Sequence, residues 1–171
     1  MSTPLFNPFL LMFFPAMMAL AASMDLLTMT IPNRLSAALV VAYVALAMAI
    51  RAPMHDVLLN LSCGAVVLSV MFVFYSLRWI GGGDAKLASA IALWLGWASI
   101  LDFSVAAALC GGLLTLLILG ARYIRLPAMF ERRAWIARLH DKATGVPYGI
   151  ALAAAGMIQY PHSQIWSAAF A

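Results

Sequence analysis

The sequence predicts an all-α integral membrane protein of about six transmembrane helices, with the N-terminus and the C-terminus both outside. Three observations carry this expectation. Apolar residues make up 65% of the 171-residue chain and charged residues only 9%, whereas a soluble domain carries roughly 25% charged residues to cover its surface. The apolar residues fall in runs near the length that crosses a ~30 Å hydrocarbon core, about 20 residues of helix. The charges fall between those runs, which is how membrane topology is encoded.

Taken in order, the expected spans are approximately 5–24, 35–50, 57–77, 87–101, 103–121 and 148–169, together forming a single membrane domain. The first run ends in small residues that resemble a signal-peptide cleavage site. No Lys or Arg precedes Arg34, so the positive segment of a signal peptide is missing and a retained first helix is expected. Pro161 makes the last run less regular.

Orientation follows from the cations. Connections 24–34, 78–86 and 122–146 hold nine of the ten Lys and Arg, and the opposite connections hold only Arg51. That bias places the first set in the cytoplasm. The formal charge of +4 therefore reads as a topology signal and an attraction to membrane lipids, and no nucleic-acid partner is expected. Cys63 and Cys110 lie within apolar runs with no ligand cluster around them, so no metal and no cofactor is expected.

Four of the six acidic residues have ordinary roles. Asp56 and Asp102 stand just before apolar runs, where an aspartate caps a helix N-terminus. Glu131 and Asp141 lie in the basic loop, where exposed ion pairs contribute little. Asp25 and Asp84 remain, both on the cytoplasmic side at the edge of a span. Asp25 has apolar neighbours on both sides and no Lys or Arg within a turn, a costly setting for an ionisable group. Its partner must come from elsewhere in the fold. Asp84 follows Gly81, Gly82 and Gly83, which permit positive φ and close approach of another helix.

Gly81-Gly82-Gly83-Asp84, followed by Lys86, resembles the GxGD signature of membrane aspartyl proteases in its prepilin peptidase version. Asp25 ahead of Ile31-Pro32-Asn33 is similar to the other prepilin peptidase motif, and Pro147-Tyr148-Gly149 to the segment opening the last helix of the small peptidases of Tad/Flp pilus systems. The resemblance implies a short, protease-only aspartyl endopeptidase of the bacterial inner membrane. It would remove the leader from a type IV (Flp-like) prepilin or pseudopilin at the cytoplasmic face. Asp25 and Asp84 would be the catalytic pair, with Gly81, Gly82, Gly83, Pro32 and Asn33 as active-site motif. Lys86 and Arg34 would meet lipid headgroups or the substrate. The rival expectation is a small proton- or cation-coupled transporter that uses Asp25 and Asp84 as its ion site.

Overall fold

A computed structural model describes residues 7–124 and 133–170, and these contain helices and turns but no strand. α1 (Asn7–Thr28) has 22 residues, about 33 Å at ~1.5 Å per residue, enough to cross a bilayer. It stops because Met29 takes a positive φ of 55° and Pro32 disfavours helix at the residue before it. α2 (Asn33–Ala49) starts directly after Pro32, and α3 (Met54–Ser76) directly after Pro53. α2 and α3 each end in a residue of positive φ, Arg51 and Arg78. Backbone bonds from Ala52 to Ala47 and from Trp79 to Phe74 close these ends, in the manner of a Schellman motif without glycine.

α4 (Gly82–Ala121) has 40 residues. A straight helix of that length would measure about 60 Å, twice the hydrocarbon thickness. The chain breaks instead at Gly96, where φ is 69° and ψ is −178°, a backbone region open essentially to glycine alone. Ser104, Ala107 and Ala108 line the same cavity as Asp84 and Ala88, so the two arms lie side by side. The expected boundary at Asp102 is corrected by this turn six residues earlier. Asp102 is an interior helical residue and caps nothing. Only glycine fits the turn on steric grounds as well, because a Cβ on Gly96 would collide with Asn60 Oδ1. Asp56 lies in the first turn of α3, with Pro53 in the capping position, and makes no cap hydrogen bond.

The remaining elements are α5 (Ala134–His140), α6 (Tyr148–Gln159), a 3-10 turn (Tyr160–His162) and α7 (Gln164–Phe170). The run expected over 148–169 is thus divided at Pro161. α4 lies at the centre, against α2, α3 and α6. Small residues let these backbones approach closely: Gly64 of α3 leaves only 3.2 Å between a Cβ placed on it and Leu93 Cβ. Trp94 is fully buried and donates through Nε1 to the Leu39 carbonyl at 2.9 Å. Phe14 stacks on Tyr160 with centroids 4.5 Å apart, and the Tyr160 hydroxyl donates to the Leu11 carbonyl. These contacts tie α1, α2, α4 and the 3-10 turn together. Outward positions are apolar too, among them Leu101, Leu116 and Leu117, as a hydrocarbon solvent requires. α1, α3 and α4 are long and apolar enough to cross a membrane.

One end of the bundle collects the basic connections. Arg138 Nη1 donates to the Leu27 carbonyl at 3.0 Å, satisfying an orphan acceptor at the end of α1. Arg122 donates to the carbonyls of Leu139, Thr144 and Gly145. Among the described residues Asp141 forms no ion pair, contrary to expectation. Its carboxylate accepts from the Ala143 backbone amide and the Thr144 hydroxyl, the local turn bonding that aspartate favours. Glu131 lies outside the described residues.

Candidate active site

Both aspartates line one cavity at this end of the bundle, together with Met29, Thr30, Ile31 and the three glycines Gly81, Gly82 and Gly83. Its volume of about 290 Å³ exceeds many times the ~30 Å³ share of one water. Asp25 reaches it from the last turn of α1 and is 5% exposed. Asp84 reaches it from the first turn of α4 and is half-buried.

Asp25 has the distant partner that its surroundings require. Its Oδ2 accepts the backbone N–H of Gly149 at 2.7 Å. That amide belongs to the first turn of α6, where free N–H groups and the helix dipole both favour a carboxylate. The contact leaves no room for a side chain at residue 149: a Cβ there would lie 2.6 Å from Ile31 Cδ1 and 2.8 Å from Asp25 Oδ2.

The glycines before Asp84 act by close approach. Gly96 is the one glycine of positive φ among the described residues, and Gly81 is extended at φ −74° and ψ 146°. The expectation of positive φ at 81–83 is therefore corrected. A Cβ on Gly83 would come within 3.1 Å of Ile31 Cβ and 3.4 Å of the Ile31 backbone, so the α4 start is pressed against the α1–α2 turn. Asp84 folds back on Gly81, where a Cβ would lie 2.9 Å from Asp84 Oδ2, like half of a capping box.

Asn33 and Lys86 meet. Lys86 Nζ donates to Asn33 Oδ1 at 2.8 Å, an exposed link between the starts of α2 and α4 that sequence reasoning did not pair. Arg34 is exposed beside it and Pro32 half-buried. Gly149 is the other residue that the sequence marked only as motif, and its signal was its place in Pro147-Tyr148-Gly149. No three His, Cys, Asp or Glu among the described residues are placed to hold a metal ion.

The sequence profile of the type IV leader peptidase family matches residues 12–116. The chain belongs to that family. The matched stretch runs from α1 into the second arm of α4 and contains both aspartates, Ile31-Pro32-Asn33 and the glycines, while α6 with Gly149 lies beyond it. Membership makes the protein a peptidase and implies prepilin substrates. Neither a curated protein nor a solved structure matches the chain.

Proposed function

We propose that this leader peptidase is an aspartyl endopeptidase, with Asp25 and Asp84 as its catalytic pair. It removes the leader from type IV, Flp-like prepilins at the cytoplasmic face of the bacterial inner membrane. The observation that carries the reading is the shared cavity, which two otherwise costly carboxyls line together at the basic end of the bundle. In the proposed chemistry one carboxylate takes a proton from water, and the resulting hydroxide attacks the scissile carbonyl carbon. The other carboxyl, protonated, donates a hydrogen bond to the carbonyl oxygen as negative charge develops there. The tetrahedral intermediate then collapses, the C–N bond breaks, and the leaving nitrogen takes up a proton. Two carboxyls brought together in one cavity share one proton readily, because like charges repel.

Each neighbour has a positional part. The Gly149 amide fixes one oxygen of Asp25, Gly83 lets the α4 start approach Ile31, and the Lys86–Asn33 bond ties the starts of α2 and α4 together. Arg34 and the exposed face of Lys86 suit headgroups or a substrate acid. Family membership favours this reading over the transporter. The test is co-expression with a candidate prepilin, following the shortened product. Asp25→Asn and Asp84→Asn are each expected to abolish cleavage while the protein accumulates normally in the membrane. Wild-type cleavage by either variant would remove that residue from the pair.

A further inference from the structure

Two arginines at the basic end of the bundle point inward. Arg138, in the last turn of α5, donates through Nη1 to the Leu27 carbonyl at 3.0 Å. Arg122, at the C-terminus of α4, donates through Nε to the Leu139 carbonyl at 2.8 Å. Its Nη2 donates to the carbonyls of Thr144 and Gly145 at 2.8 and 3.2 Å. Among the described residues neither arginine pairs with a carboxylate. An arginine that served only to set topology would keep its head among headgroups or in water. These two direct theirs at the backbone.

The bonded carbonyls trace two routes to one contact. Leu27 lies two residues after Asp25, in the last turn of α1. Leu139 adjoins Arg138 in α5, so the first route runs from Arg122 through α5 and Arg138 to the helix that carries the carboxylate. Thr144 and Gly145 lead through Pro147 into the first turn of α6. The second route therefore runs from Arg122 to the Gly149 amide that Asp25 accepts. Carboxylate and amide are thus fixed from the same guanidinium. The end of α1 requires a holder, because a helix leaves its last carbonyls without intrahelical donors. A cation suits that place, being favoured by the negative end of the helix dipole and making the stronger, charge-assisted bond. We infer that Arg138 is a positioning residue for Asp25, holding the α1 terminus where the carboxylate meets the Gly149 amide and faces the cavity. Arg138 is not among the residues that line that cavity, so it acts through Asp25 and not on the substrate. The inference rests on the aspartyl leader-peptidase reading and adds to it a basic connection that orients the catalytic pair from outside the cavity.

The test is steady-state cleavage of a purified prepilin by the full-length enzyme in detergent. Arg138→Met keeps an apolar stem and lacks the donor, and Arg138→Ala removes both. Each is expected to lower kcat about tenfold or more, since a shift of ~1 Å costs a well-oriented reaction about 100-fold. KM is expected to stay unchanged, as for a group that acts on the reacting geometry alone. Arg138→Lys keeps one charged donor, which is all that the single bond to Leu27 uses, and is expected to recover most of the rate. Arg133→Ala removes the same charge from an exposed position of the same connection and is expected to leave kcat unchanged. A raised KM at unchanged kcat would overturn the inference, since Arg138 would then meet substrate or lipid. So would a Lys variant as slow as the Met variant, or equal slowing by Arg133→Ala, which would make net charge the cause. If none of the three Arg138 variants accumulates, the residue serves folding alone and the inference falls as well. Asp25→Asn separates the two levels. Normal cleavage by that variant topples the catalytic reading, whereas its inactivity beside a wild-type rate in Arg138→Met removes the positioning role alone.

Discussion

At the scale of single residues, the glycines make graded demands. Gly149→Ala would drive a methyl group into Ile31 and Asp25, at 2.6 and 2.8 Å, so either α6 or the carboxylate must move. A displacement near 1 Å costs a well-oriented reaction about 100-fold, and that loss of cleavage is expected at normal membrane abundance. Gly83→Ala meets Ile31 Cβ at 3.1 Å, a tighter fit than the site tolerates freely, and is expected to lose most cleavage, though less than Gly149→Ala. Gly112→Ala, which meets nothing within 4 Å, serves as the neutral control. Pulse-labelled cleavage rates of the three variants check the order. The sequence made Asp25 conspicuous because no cation lay near it. It did not disclose the partner, since the donor is a backbone amide and every residue except proline carries one. The pairing of Lys86 with Asn33 was illegible for a related reason: two exposed polar residues gain their relation only once α2 and α4 are placed.

At the scale of elements, the break in α4 was the hardest feature to read. Asp102 stood before an apolar run and looked like a cap, whereas Gly96 stood between Leu95 and Trp97 with no polar neighbour to mark it. The deciding quantity is a backbone angle, invisible in a hydropathy pattern. Gly96→Ala is accordingly expected to lower stability by about 1–3 kcal/mol for the strained backbone, with a further loss from displacing Asn60. Reduced membrane accumulation and a lower unfolding temperature in detergent would report it. Of the helix starts, that of α6 fell at Tyr148 as expected, after Pro147, whereas α3 begins at Met54 after Pro53, ahead of the expected Asp56 cap, because proline sets these starts on sterics. Arg122 holds one carbonyl at the end of α5 and two in the turn leading to α6. Arg122→Ala is expected to open residues 139–145 to protease nicking in membranes and to lower cleavage through a looser Gly149.

At the scale of the whole molecule, the composition and the sorted charges foretold an all-helical, apolar chain, because hydrocarbon forces both. The basic connections that the sequence grouped do meet at one end of the bundle. That this end faces the cytoplasm is an expected outcome of labelling: a cysteine introduced at the exposed Ala143 should react from the cytoplasmic side only, and labelling from outside would reverse the topology. Thiol reagents are expected to leave cleavage largely intact, since Cys63 is wholly buried, while Cys110 is half-buried rather than enclosed. The bond between Asp25 and Gly149 spans 124 positions of the chain. A ribosome adding 5–20 residues per second takes roughly 6–25 s to cover that distance. Throughout that interval the first helix waits in the bilayer with its carboxyl unpartnered, although Asp84 is made less than halfway through it. A nascent chain halted before α6 therefore owns both acids and still lacks the amide that orients one of them. The protease is completed last, by a peptide group rather than by a side chain.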